Sequence, residues 1–135
     1  MKRRERLIKD YDVHFILAAQ QFIDENPKKQ LTITALALEV GINPYKLKRG
    51  FKQVFKTTIH QYRLGVRLNL AKQLLEETDL TVEEIARKVG FTNRNGFAFA
   101  FKREFSWPPR KWRYDQAEIT EYEMNPSAIG TSLKG

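Results

Sequence analysis

The chain has 135 residues, 41% of them hydrophobic, and its 24 basic and 16 acidic side chains give a formal net charge of +8. This length suits one domain or two small subdomains, and the charge favours an anionic partner such as nucleic acid. The chain lacks cysteine, which excludes disulfides, thiolate zinc sites and cysteine nucleophiles. No secretory signal is visible and no apolar run approaches the roughly 20 residues that span a bilayer, so we expect a cytoplasmic protein without a membrane partner.

The charge is unevenly distributed along the chain. Residues 1–114 carry 23 basic and 12 acidic side chains, a net of +11, whereas residues 115–135 carry four acids and one lysine, a net of −3. Residues 1–10 are predominantly basic and are expected to form a leader or the remnant of a linker. Residues 115–135 lose hydrophobic periodicity, so we expect an acidic, mostly disordered tail.

Hydrophobic periodicity close to 3.6 residues predicts an all-α fold with about seven helices. Local signals set the limits of these helices: glycines and prolines end them, and threonine or asparagine side chains cap their beginnings. The predicted helices run from Tyr11 to Asn26, from a cap at Thr32 or Thr34 to Val40, from Asn43 to Phe55, from Ile59 to Glu77, from Thr81 to Gly90, from Asn93 to Phe105, and from Pro108 to Trp112.

An internal repeat is the most informative feature of the sequence. Residues 37–42 match residues 86–91 at an offset of 49, and the apolar positions that follow match at an offset of 50. Each copy has a short helix, a glycine that permits positive φ, an apolar residue in the turn, and a second amphipathic helix. This pattern is typical of a helix-turn-helix unit, and it occurs twice. The alternative is a helical bundle that contains two similar hairpins without DNA-binding activity.

These residues resemble the DNA-binding domain of AraC/XylS-type transcription regulators over roughly residues 11–113. The resemblance is strongest at Leu80–Phe91 and continues through Phe97, residues 101–105, Pro109 and Trp112-Arg113; residues 62–75 resemble the family's linker helix. The sequence departs from the family at four positions: Lys56 and Ser106 replace a common glycine, Trp112 replaces the commoner tyrosine, and Phe99 replaces a polar or arginine base reader.

The resemblance implies two helix-turn-helix subdomains joined by a long linker helix, with each second helix entering a major groove. We expect the first subdomain at residues 11–58, the linker helix at 59–78 and the second subdomain at 79–114. A linker helix of some 19 residues would span about 28 Å. That length is of the same order as the roughly 34 Å between successive major grooves on one face of B-DNA.

The first recognition helix carries the chemistry of a base reader. Residues 41–75 contain no acid, as expected of a surface that faces phosphate. Lys48 and Arg49 are the predicted readers of base edges, because both side chains can pair with guanine O6 and N7. Tyr45 could contact a thymine methyl group or a phosphate. The full predicted set on this helix is Tyr45, Lys46, Lys48, Arg49 and Lys52, and its alternative interpretation is a solvated basic face.

The second recognition helix offers fewer polar groups. Arg94 and Asn95 lie in its first turn, and asparagine pairs well with adenine. Phe99 offers only apolar contact, suitable for a thymine methyl group, or it could turn inward. We therefore predict weaker sequence discrimination from this helix. Phosphate contacts are expected from Lys52, Lys56, Lys102 and Arg103, and Arg110 and Arg113 could add to them, although Arg113 could equally pair inside the fold.

Other chemistry is weakly represented. The two histidines lie on separate predicted helices without spaced carboxylate partners, and no Gly-rich phosphate loop occurs, so no enzyme, cofactor or metal site is expected. A helical protein-interaction module is the remaining alternative, with Phe99 and residues 3–8 available to a partner such as RNA polymerase. A sensor or dimerisation domain outside this chain is compatible with the resemblance.

Overall fold

A computed structural model describes residues 8–115 of the chain. Residues 1–7 and 116–135, which hold most of the predicted leader and the predicted acidic tail, lie outside the described range. Within that range every regular element is helical, and the seven helices are α1 (Asp10–Glu25), α2 (Ile33–Val40), α3 (Pro44–Phe55), α4 (Ile59–Glu77), α5 (Val82–Lys88), α6 (Arg94–Phe105) and α7 (Pro109–Tyr114). The predicted all-α class with two helix-turn-helix units is therefore confirmed.

Packing divides the chain into two compact units. The boundary falls between Arg67 and Leu68, inside α4, so that this helix contributes its first half to one unit and its second half to the other. The predicted limits agree with the observed ones for α4, and elsewhere they differ by at most two residues. For example, α5 ends at Lys88 with Val89 as its cap, and α7 extends to Tyr114.

The turn of the first unit forms as local sequence predicts. Thr32, not Thr34, caps α2 by accepting a hydrogen bond from the backbone N–H of Ala35 at 3.0 Å. Gly41 ends the helix at φ 87°, a conformation that costs glycine nothing sterically. The Asn43 side chain then caps α3 by accepting from the N–H groups of Tyr45 and Lys46 at 2.8 and 3.3 Å.

The turn of the second unit has the same three features, a threonine cap, a left-handed glycine and an asparagine cap. The Thr81 hydroxyl accepts from the N–H of Glu84 at 3.1 Å and donates to the Glu84 carboxylate at 3.1 Å. Gly90 has φ 99°, and Asn93 caps α6 by accepting from the N–H of Gly96 at 2.8 Å. α3 and α6 thus each begin at a residue fixed by an asparagine cap.

In the first unit, one side of α3 packs into the hydrophobic core. Ile16, Leu47 and Phe51 are completely buried, and removal of such a phenyl side chain costs about 3–5 kcal/mol. Gly50 lets α1 approach closely, because a Cβ atom at this position would lie 2.7 Å from Ile8 Cδ1 and 2.8 Å from Ile16 Cδ1. The outward face of α3 is therefore fixed by tight packing on its opposite side.

An aromatic cluster recurs in both units at an offset of 50. In the first unit the rings of Phe51 and Phe55 are 4.7 Å apart, and Tyr62 lies 5.5 and 6.0 Å from them. In the second unit Phe101 and Phe105 are 4.6 Å apart, and Trp112 lies 6.1 and 5.8 Å from them. The sequence repeat is therefore also a repeat of packing.

Tyr62 and Trp112, the third members of the two aromatic clusters, each donate a hydrogen bond to a carboxylate. The Tyr62 hydroxyl donates to Asp24 Oδ1 at 2.7 Å, and the Trp112 indole N–H donates to Glu76 Oε2 at 2.9 Å. Asp24 and Glu76 are each the penultimate residue of their helix, α1 and α4 respectively. Burial raises the pKa of Tyr62, and the hydrogen bond to Asp24 raises it further, so both favour the protonated hydroxyl that donates to Asp24.

Arginines that follow these aromatic residues bind backbone carbonyl groups. Arg63 donates to the carbonyl oxygen of Leu31 at 2.7 Å, and Arg113 donates to those of Leu75 and Thr78 at 3.2 and 3.1 Å. Arg67 is buried and donates to the carbonyl oxygen of Pro27 at 2.7 Å. Burial lowers the pKa of Arg67, and the neighbouring charge of Arg63 lowers it further.

The two departures from the family's glycine are conformationally strained. Lys56 and Ser106 follow α3 and α6 as C-caps and adopt left-handed φ values of 61° and 72°. Each cap N–H donates to the carbonyl of Lys52 or Lys102, so the left-handed turn is hydrogen-bonded. Glycine is favoured at this position because it lacks the Cβ clash that any other residue pays in this region.

Candidate nucleic-acid interface

α3 presents a polar and basic face on the side opposite its core contacts. Tyr45, Lys46, Lys48 and Lys52 are exposed, whereas Leu47, Gly50 and Phe51 are buried. Because the exposed side chains share one helix face, their positive charges create a field that attracts phosphate. The predicted residues of α3 are thus brought together, with Arg49 beside them.

Arg49 is held by Tyr45. One guanidinium nitrogen of Arg49 donates to the Tyr45 hydroxyl at 2.6 Å, and the guanidinium carbon lies 5.4 Å from the centre of the tyrosine ring. Arg49 is half-buried and Tyr45 is exposed. The hydrogen bond and the ring contact partly preorganise the Arg49 side chain on the outward face of α3. Both residues were predicted to contact DNA, but their contact with each other was not predicted from the sequence.

Lys46 is engaged on its own unit. Its ammonium lies 3.7 Å from Asp12 Oδ2 and 5.8 Å from the centre of the Tyr11 ring, both on α1. The Lys46 side chain is 52% exposed and that of Asp12 only 9%. The acid-free stretch of sequence is therefore interrupted in space by an acid from α1, which the charge count along the chain could not reveal. Lys46 balances this carboxylate at the edge of the basic face.

α6 carries a smaller set of polar groups at its beginning. Arg94 and Asn95 are exposed in the first turn. Arg94 lies 3.9 Å from a carboxylate oxygen of Glu83 on α5, in a pair whose side chains are 49% and 65% exposed. Pairs this exposed contribute little to stability, so Arg94 can exchange this partner for a phosphate or a base. Lys102 and Arg103 are exposed near the other end of the helix.

Phe99 points outward. Its side chain is 70% exposed, whereas Phe97 and Phe101 on the same helix are completely buried. Of the two orientations left open by the sequence, the structure selects the exposed one, because Phe99 lies on the face of α6 opposite the core. The outward face of α6 therefore combines one large apolar side chain with polar and basic neighbours.

Arg110 and Arg113, near the end of the described chain, have different surroundings. Arg113 donates to two backbone carbonyl groups near the end of α4, so it pairs inside the fold, although with carbonyls and not with an acid. Arg110 is exposed and its guanidinium lies 6.0 Å from the centre of the Tyr114 ring. Arg110 is thus available to an anionic partner, whereas Arg113 has a structural role that the sequence left undecided.

Two other features are absent from residues 8–115, a cluster of metal ligands and a membrane-spanning helix. This part of the chain contains no group of three or more histidine, cysteine, aspartate or glutamate side chains that could hold a metal ion. None of its helices is long and apolar enough to cross a membrane.

Comparison with known proteins points to one family. Residues 36–115 match the family model described as "Helix-turn-helix domain". The HTH-type transcriptional regulator AlkR of Acinetobacter baylyi is 34% identical over 87 residues, which is 64% of this chain and 28% of that protein. The HTH-type transcriptional activator RhaS of Salmonella schwarzengrund is 32% identical over 100 residues, 74% of this chain and 36% of that protein. The chain therefore spans about a third of the length of these curated relatives.

A solved structure shows the same fold. The transcriptional regulator from Chromobacterium violaceum, described as an AraC-type DNA-binding domain-containing protein, superposes with a TM-score of 0.73 at 28% identity. The match covers 81% of this chain and 97% of that one. The matched share is larger than either unit, so the similarity extends over both units.

Proposed function

Because this chain belongs to the AraC/XylS-type family of helix-turn-helix regulators, we propose that α3 and α6 are its recognition helices and bind sequence-specifically in the major groove of double-stranded DNA. The observation that carries this proposal is the outward face of α3. There, Tyr45, Arg49 and three lysines lie together on a helix whose other side is locked by Leu47, Gly50 and Phe51. A rigid helix with clustered donors is what base-edge recognition requires.

The residues divide into readers and phosphate contacts. Arg49, oriented by Tyr45, and Lys48 are the proposed base readers of α3, with Arg94 and Asn95 as the polar readers of α6. Lys52, Lys102 and Arg103 lie farther along the two helices and are proposed to contact phosphates, which position the protein without specifying sequence. Lys46 is proposed to act at the edge of the face, since Asp12 offsets part of its charge.

Regulation of transcription is proposed for the whole protein. The relatives AlkR and RhaS are named as a transcriptional regulator and a transcriptional activator, and each is longer than the matched part. Control through contact with RNA polymerase or through occlusion of a promoter, and a sensor or dimerisation domain outside these residues, stay predictions of the family resemblance.

A binding-site selection followed by paired substitutions tests the proposal. Arg49→Ala is expected to reduce the preference for the selected site over random DNA by about 5- to 150-fold, the equivalent of roughly 1–3 kcal/mol for one base contact. Lys52→Ala is expected to weaken selected and random DNA alike and to reduce the slope of log K against log salt by about 0.9. Lys28→Ala, an exposed lysine between α1 and α2, is the matched control.

The outcomes separate the alternatives. Equal losses on selected and random DNA for Arg49→Ala would remove its role as a reader. Failure of the intact chain to enrich any sequence would contradict specific binding and would favour the protein-interaction module instead.

A further inference from the structure

Phe99 occupies the same place in α6 that Arg49 occupies in α3. Each is the sixth residue after the asparagine that caps its helix, Asn43 or Asn93, and the two are related by the offset of 50 that relates the aromatic clusters. A helix position fixed by the same cap and the same core contacts directs its side chain in the same direction from its own unit. The two recognition helices therefore carry different chemistry at one equivalent position.

Phe99 has no visible role in the core. The rings of Phe97, Phe101 and Phe105 contact other aromatic rings of the second unit, whereas Phe99 is 70% exposed. Leaving a phenyl ring in water forgoes the stabilisation that its burial would bring. An exposed ring at the position of a proposed base reader indicates a partner that covers it.

The surroundings of Phe99 indicate what that partner is. Asn95, Lys102 and Arg103 lie four residues before, three after and four after Phe99, which places them on the same helix face, and all three are exposed. A partner that fits here must be anionic around its edge and apolar at one point in its centre. The DNA major groove meets both requirements, because phosphates border it and the C5-methyl group of thymine projects into it.

We propose that Phe99 reads the C5-methyl group of a pyrimidine, so that the second half-site selects thymine and accepts 5-methylcytosine in its place. This inference rests on the proposed DNA-binding function. A phenyl ring cannot hydrogen-bond, so opposite a guanine edge or a cytosine amino group it would desolvate polar groups without compensation. Against a methyl group it gains apolar contact instead. Selection by Phe99 thus follows the methyl group rather than the Watson–Crick identity of the base.

The two half-sites would then be recognised through different groups on the bases. Arg49 favours acceptors, as on guanine, whereas Phe99 favours a methyl group. Binding to the second half-site would then respond to methylation of cytosine at C5, with methylation raising affinity at the position that Phe99 contacts.

The test uses the intact chain and the duplex that it selects. Each thymine of the second half-site is replaced in turn by uracil, which removes only the methyl group, and Kd is measured by fluorescence anisotropy at one salt concentration. We expect one position at which uracil weakens binding about fourfold, the equivalent of roughly 0.8 kcal/mol for one buried carbon. Replacement of that T·A pair by C·G should weaken binding further, and 5-methylcytosine at the same position should recover about fourfold.

Substitution of Phe99 ties these effects to its ring. In Phe99→Ala, which should fold because the side chain is exposed, uracil and thymine should bind equally at that position. Phe99→Leu should retain part of the discrimination, and Phe99→Arg should shift the preference towards guanine. Uracil replacements in the first half-site serve as controls, because their effects should be the same in Phe99→Ala and in the parent chain.

The inference is overturned if no uracil replacement has an effect that disappears in Phe99→Ala, or if the selected second half-site contains no thymine. It is also overturned if Phe99→Ala leaves every DNA affinity unchanged, because Phe99 would then contribute nothing to DNA binding. In each of these cases the chain still enriches a DNA sequence, so the proposed function survives. Only the absence of any enriched sequence makes the proposed function itself fail, and this inference with it.

Discussion

Replacement of Lys56 by glycine tests the conformational cost at the end of the first recognition helix. Lys56 has φ 61° and its backbone N–H donates to the carbonyl of Lys52 at 2.9 Å. A non-glycine residue in this left-handed region costs about 1–2 kcal/mol. Glycine removes this conformational cost, but it loses more backbone entropy on folding, which offsets about 0.5–1 kcal/mol of the stabilisation. The net expectation is that Lys56→Gly raises the free energy of unfolding by about 0.5–1 kcal/mol.

Urea denaturation followed by circular dichroism measures this change. In thermal unfolding, 0.5–1 kcal/mol corresponds to a rise in Tm of about 2–8 °C for a domain of this size. Lys56→Ala is the matched control, because it removes the lysine charge and aliphatic chain but keeps a Cβ in the strained conformation. Ser106→Gly, at φ 72° after α6, should stabilise the second unit by a similar amount.

Gly41→Ala provides the opposite change. An added Cβ would lie 3.7 Å from Phe15 Cε1, an ordinary contact, so the expected loss comes from φ 87° and not from a clash. The conformational cost of about 1–2 kcal/mol is offset by about 0.5–1 kcal/mol of backbone entropy, which leaves a net loss of about 0.5–1 kcal/mol. A neutral or destabilising effect of Lys56→Gly, with no loss in Gly41→Ala, would refute the account of both turns.

Three further substitutions test particular contacts. Gly65→Ala, inside α4 with no neighbouring atom within 4 Å of the added Cβ, should stabilise the chain by about 0.5–1 kcal/mol in urea denaturation, and an unchanged or lowered free energy of unfolding would contradict this. Trp112→Phe keeps an aromatic ring but removes the indole donor to Glu76, 2.9 Å away; a loss of about 1–3 kcal/mol is expected, and a change near zero would show that the hydrogen bond contributes nothing. Arg113→Met leaves two carbonyls without their donor and should lower Tm while leaving the salt dependence of DNA binding unchanged, whereas a reduced salt slope would mean that Arg113 contacts phosphate.

The helices and their turns were predictable because the signals that define them act over a few residues. The cap at Asn43 bonds the N–H groups of the next turn, and Gly41 supplies a backbone conformation that no distant contact is needed to explain. The core faces followed from the 3.6-residue period, which places Phe97 and Phe101 on one side of α6. The same period places Phe99 on the opposite, outward side of α6. Because phenylalanine is apolar, the sequence also allowed a buried orientation, and only the structure showed that the core is filled without this ring.

The details of the candidate interface were less predictable, because they depend on residues far apart in the chain. No local pattern places Asp12 beside Lys46, since the contact exists only after α1 packs against α3. The donation of Arg113 to the end of α4 likewise requires the second unit to be folded. The pairing of Arg49 with Tyr45 lies within one helix at a spacing of four, so spacing permits it, but spacing alone does not choose it over solvent.

By itself, the sequence determined the seven helices, the two helix-turn-helix units and the family, because helix caps, glycine turns and hydrophobic periodicity depend on residues that are close together in the chain. Only the tertiary structure decided which charged side chains face outward unengaged and which serve the fold. The physical reason is that a charged group takes the nearest opposite charge or carbonyl that packing brings within reach, and packing is a property of the whole unit. Arg113 and Lys46 thus differ from Lys48 and Lys52 in ways that residue type and spacing do not encode.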